Sequence, residues 1–152
     1  MIIRFSKKGN RNSLNCIRDD GSYTRSEMGQ QTPFHDIAHY VADKKLNIKN
    51  GFYSNLKKGY SIQQLSDKEV IKTLDSGAMV SELFARALGS LFTGSCTLEQ
   101  FIPLIKVELT DKYSIPMPVI TEDIVIEMDK EYRELLDRWQ ALPDGESLEL
   151  EF

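Results

Sequence analysis

The last six residues, "SLELEF", set Leu148, Leu150 and Phe152 against Ser147, Glu149 and Glu151. Strict alternation over that length is the pattern of a strand with one buried face. A lone strand buries nothing, so it needs a sheet to join. The other strand-like runs stand at the opposite end of the chain, in residues 2–28. There "IIRF" is short and apolar-rich, and "SLNCIR" alternates Leu14 and Cys16 with polar neighbours. "SYTRSEM" returns after Asp19-Asp20-Gly21, a hairpin signal in which Gly tolerates positive φ. The two ends of the chain are therefore expected to meet in one small antiparallel sheet.

Helical signals fill the middle. Thr32-Pro33 reads as a helix start, with Thr32 as a hydroxyl cap and Pro33 where a missing N–H costs nothing. That helix runs to about Leu46, and Asn50-Gly51 ends the segment. "FYSNLKK" makes a short amphipathic turn or two, closed by Gly59. Ser66 before Glu69 and Thr97 before Gln100 both have capping-box spacing. "SGAMVSELFARALGSLF" is apolar nearly all round, the pattern of a central buried helix. Pro103 inside the run after Thr97 demands a kink or a later start. "IPMP", residues 115–118, reads as an extended connector. Thr121 caps a last helix whose Ile124, Met128, Tyr132, Leu135, Trp139 and Leu142 form one core stripe. The expected fold is α+β, a single domain over residues 1–152. The N-terminal strands and the C-terminal strand form the sheet, and about four to five helices pack against one face.

Charge and composition narrow the function classes. The chain carries a formal net charge of −4, unevenly spread. Residues 1–50 hold nine Lys/Arg and five Asp/Glu, whereas residues 121–152 hold three and eleven. The acidic end can fold back on the basic one, in the same subunit or in a homo-oligomer. With no RNP-like or zinc-finger pattern, nucleic acid is not the expected partner. There is no long apolar run to span a membrane. "MIIRFSKKGNRNS" lacks the apolar stretch of a signal peptide, and Cys16 and Cys96 lie outside any C-x-x-C arrangement, so a cytoplasmic protein with free thiols is expected. Residues 51–59 lack the Lys-Ser/Thr ending of a phosphate loop, and nothing signals a nucleotide or a flavin.

Chemistry concentrates in "QQTPFHDIAHYVADKKL", which holds both histidines of the chain. His35 and His39 are four apart, so on a helix they project side by side, offset by about 40° and one turn. A divalent ion about 2.1 Å from each ring nitrogen is feasible there. The helix N-terminus disfavours imidazolium, and neutral imidazole is the form that binds metal. Two histidines do not complete a site. Asp43 continues the series, but positions eight apart are about 12 Å apart along a helix, so it cannot readily share an ion with His35; it could bind an ion with His39 alone, as an alternative ligand, or hydrogen-bond as an outer partner. Glu82 is the candidate third ligand, because an unpaired carboxylate in the most apolar helix would be costly. Its competing assignment is an ion pair with Arg86, one turn on. Asp36, between the histidines, is placed to orient an imidazole or a water. The competing assignment for the whole unit is structural, with the imidazoles edging the core and bonded to a carboxylate.

Three resemblances attach to these residues. "HDIAH" resembles the metalloprotease pattern H-E-x-x-H, with Asp36 where Glu belongs and no later His to supply a third ligand. The same H-D-x-x-H is similar to the zinc motif of a ubiquinone-biosynthesis family, which places a Glu twelve residues after the second His, where this chain has Gly51. "HDIAHYVAD" followed by "GFY" (Gly51, Phe52, Tyr53) resembles a group of small uncharacterised bacterial proteins that share an H-D-[LI]-x-H-[YF]-x-x-[ED] helix and a GF-aromatic segment. This last resemblance implies that His35, Asp36, His39 and Asp43 act as a unit, and it implies no particular activity.

Two functions follow as expectations. One is a site for zinc, or for another divalent transition metal such as nickel or manganese, on His35 and His39 with Glu82 or Asp43 completing it, serving a small metal-dependent hydrolase. The other is a non-catalytic interaction or regulatory module whose histidines are structural.

Overall fold

A computed structural model describes residues 1–152. Three N-terminal strands, β1 (Ile2–Ser6), β2 (Asn12–Ile17) and β3 (Tyr23–Met28), precede the helices. These are α1 (Thr32–Lys45), α2 (Phe52–Lys57), α3 (Ile62–Leu65), α4 (Lys68–Ile71), α5 (Ser76–Thr93), α6 (Leu98–Lys106) and α7 (Glu122–Ala141), and β4 (Ser147–Glu151) ends the chain. A π-helical turn, Val107–Lys112, follows α6 directly. The fold is α+β as expected, with seven helices instead of four or five. Two of the seven, α3 and α4, are four residues each; a helix start was expected at Ser66–Glu69, where α4 lies, whereas α3 is too short to show a helical period in sequence.

The sheet has the order β3-β2-β1-β4 and is antiparallel throughout. β4 does pair with β1, and the register sets Phe5 between Leu14 and Leu148, and Ile3 between Cys16 and Leu150. All six are buried, which is the inner face that the alternation demanded. Ile37, Ala38 and Val41 of α1 and Val125, Met128 and Trp139 of α7 belong to the same core. Trp139 meets Phe5 edge-on, with ring centroids 6.3 Å apart.

Several local expectations need correction. Thr32 is not the cap of α1. Gln31 holds the cap position with helical φ and ψ, and its carbonyl accepts from Phe34 N, so Thr32 is the first residue of the helix, which has no side-chain cap. Ser66 does not open a capping box either. Its hydroxyl donates back to Ile62 O at the end of α3, and Asp67 caps α4 instead. A box that was not expected joins Ser61 and Gln64. The Thr97–Gln100 box forms, and α6 runs through Pro103 before widening into the π turn. The α5 helix is buried on one side only, and Arg86 on its outer side is exposed.

The charge split is used inside the chain. Arg4 meets Glu149 at 2.5 Å, Lys45 meets Glu127 at 3.1 Å, and Lys7 Nζ donates to Trp139, Gln140 and Leu142 carbonyls at the end of α7. Both cysteines are free and buried. No helix is long and apolar enough to cross a membrane.

Candidate metal centre

The site is built where α1 crosses α5. On α1 the burial of Ile37, Ala38 and Val41 fixes the roll of the helix. That roll leaves the His35 side chain 41% exposed at the margin and turns His39 inward, its side chain only 6% exposed. On α5 the buried Val80, Leu83 and Phe84 fix the roll in the same way and put Glu82 at the edge facing α1.

The three groups converge. His39 Nε2 lies 3.1 Å from His35 Nε2, and each of these nitrogens lies 3.2 Å from Glu82 Oε2. The centre of a triangle with those sides is about 1.8 Å from each corner. An ion with bonds of about 2.1 Å would sit about 1 Å out of its plane, with angles between ligands close to 100°. That lies between the right angles of a facial octahedral site and the tetrahedral angle, so the three donors could hold a metal ion. Two imidazoles with one carboxylate leave a position open for water or substrate. The Arg86 pairing that competed for Glu82 does not form, since Arg86 Nη2 lies 3.6 Å from Glu108 instead.

A second ring of groups holds His39. Its Nδ1 is 2.8 Å from Ser81 Oγ, which also accepts Phe52 N–H at 3.3 Å. Asp43 Oδ2 accepts Tyr53 N–H at 2.9 Å. The Ser81 hydroxyl lies near the Asp43 carboxyl and favours its charge, but no hydrogen bond joins the two, and the buried Oδ1 has no donor. Ser81 Oγ and His39 Nδ1 share one hydrogen. Nε2 of His39 points at the triangle, where Glu82 Oε2 accepts its N–H at 3.2 Å, and a bound ion would take the place of that hydrogen. Asp43 does not join the triad, which corrects the expectation that it could supply a ligand in place of Glu82; its carboxyl is taken up at the start of α2.

The electrostatics follow from burial and from these bonds. The hydrogen bond to Glu82 raises the His35 pKa, and burial lowers that of His39. Burial pushes Glu82 up, but its hydrogen bonds to both imidazoles outweigh this and hold it below the usual carboxylate range. Burial raises Asp43 to about 7 and Asp36 to about 6. Asp36 bonds to neither imidazole. It is 9% exposed, no hydrogen bond stabilises its carboxylate, and it lines the same cleft as the triad.

That cleft holds about 700 Å³ between β3, α1, α2, α3 and α5, and His35, His39 and Glu82 line it together with Phe52 and Met79. Phe52 covers His39, with ring centroids 5.0 Å apart. Tyr53 is fully buried and donates its hydroxyl to Asp36 O. Sequence reasoning did not single out Ser81, although a small polar residue beside a carboxylate in so apolar a run is a signal of internal hydrogen bonding. Position 51, where the ubiquinone-biosynthesis motif has Glu, has no room for a side chain. A Cβ added to Gly51 would lie 2.6 Å from Asp43 Cγ. No family model, curated protein or solved structure matches the chain, so any functional reading rests on this geometry.

Proposed function

We propose that the protein holds a divalent transition metal, zinc first, on His35, His39 and Glu82, and acts as a small metal-dependent hydrolase in the cleft. The supporting observation is the near-equilateral triangle of two Nε2 atoms and one Oε2 on the cleft wall. The ion would polarise a carbonyl and bring a bound water near neutral pKa. Asp36, a carboxyl raised to about 6 and without a partner, suits the acceptance of a proton from that water. On this reading His35, Asp36, His39 and Asp43 form the unit that the bacterial H-D-[LI]-x-H proteins share.

The structural alternative draws on the same distances, since Glu82 lies within hydrogen-bond reach of both imidazoles without an ion. Zinc titration of the untagged, metal-stripped protein by calorimetry separates the two. One equivalent is expected to bind, and Glu82→Gln is expected to weaken binding by tenfold or more. Affinity should fall as pH drops through the raised pKa of His35, because the ion must displace a proton there. Binding of less than a tenth of an equivalent leaves the structural alternative standing.

A further inference from the structure

We propose that the cleft beside the triad takes an uncharged, apolar-bodied carbonyl compound of the amide or hydroxamate type. Its head lies at the triad and its body lies along the walls. The position of the head rests on the metal reading, and the class of the body rests on the cleft alone.

Three observations fix the class. First, the walls are apolar side chains from several elements, among them Met28, Ile62, Leu65, Leu74 and Met79, with Phe52 beside the histidines. A volume of about 700 Å³ is in the range of small-molecule sites. Secondly, the charged groups on the lining are Glu27, Asp36, Asp75 and Glu82 against Lys72 alone. Lys72 Nζ is already 2.6 Å from Glu69. Glu27 in turn lies 3.9 Å from Arg11 outside the lining, which leaves Asp36 and Asp75 as the acids on the walls away from the triad. That part of the cleft therefore offers no free cation to a carboxylate or phosphate tail, and its acids disfavour one. Thirdly, Asp36 is nine-tenths buried on the lining and has no hydrogen-bond donor. Such a group calls for an N–H or O–H on the ligand. An amide or hydroxamate head supplies that donor along with a carbonyl, and an ester does not.

The test uses straight-chain hydroxamic acids from acetyl to octanoyl, titrated into zinc-loaded protein by calorimetry. Affinity is expected to rise about fourfold per methylene until the body fills the cleft. Suberic monohydroxamic acid, which ends the octanoyl-length chain in a carboxylate, should bind at least tenfold more weakly than octanohydroxamic acid. Met79→Arg should abolish the chain-length slope. A flat series in the wild-type protein, or equal binding of the carboxylate-tailed probe, overturns the proposal. If the protein binds no zinc, the metal reading has failed, and the cleft is tested alone with octanamide, butanamide and methyl octanoate by NMR titration. Octanamide binding at least fivefold tighter than either of the others supports the proposal. Absence of that preference overturns it.

Discussion

Asp43 backs His39 without touching its ring. Ser81 Oγ shares a hydrogen with His39 Nδ1 and accepts Phe52 N–H, and beside it the Asp43 carboxyl accepts Tyr53 N–H. Asp43→Asn keeps the shape and the bond from Tyr53 but removes the negative charge behind the site. Zinc affinity, measured by calorimetry, should fall by about 10–100-fold. Affinity within twofold of wild type would show that this charge is not felt at the triad. The same carboxyl sets a pH dependence. Its folded pKa of about 7 lies above the ordinary 3.8, so its contribution to stability is full below about pH 4 and is lost as pH rises through 7. His39, lowered by burial, acts in the opposite sense, so the measurement is the difference between wild type and Asp43→Asn. From pH 4 to 8 the wild type should lose stability relative to the variant.

At the scale of elements, the site needs α2 as much as α1 and α5. The first amides of α2 hold Ser81 and Asp43, and Gly51 lets the carboxylate in. Gly51→Ala should cost about 1–3 kcal/mol in denaturant unfolding, the usual penalty for overpacking, and should weaken metal binding through the displaced Asp43. A variant as stable as wild type would show that the carboxylate can move aside. Elements with a strong period were legible. The alternation of Leu148 and Leu150 gave β4, and the Met128–Tyr132–Leu135–Trp139 stripe gave the buried face of α7. Val125 and Leu136 are equally buried along one flank of that stripe, so the buried face of α7 is wider on that side than the stripe alone. His35, His39 and Glu82 were legible because helical spacing and the cost of a buried charge depend only on local sequence. Ser81 and the cleft walls were not, because they depend on how α2 and α3 dock. One-turn helices such as α3 carry no period that could announce it.

For the whole molecule, the sheet ties the chain ends to the core that carries the site. Removing residues 146–152 takes away Leu148 and Leu150, which are buried against Phe5 and Ile3. At about 1.5–3 kcal/mol per side chain, the truncated protein should be unfolded or near its midpoint at 25 °C, as circular dichroism would report. A truncated chain with a wild-type unfolding midpoint would mean that β4 is an ornament. The same topology bears on how the protein is made. The β1 strand leaves the ribosome about 140 residues ahead of its partner β4. At about 5–20 residues per second, β1 waits roughly 10–30 s with one edge open. Met1 and Phe152 exchange backbone hydrogen bonds of 2.9 Å, so the ends can be joined by a short linker and the chain reopened in the 115–120 connector. In that permutant β4 leads directly into β1 as a local hairpin. It should refold faster than the natural order and leave a smaller share of nascent chain open to edge-to-edge mispairing.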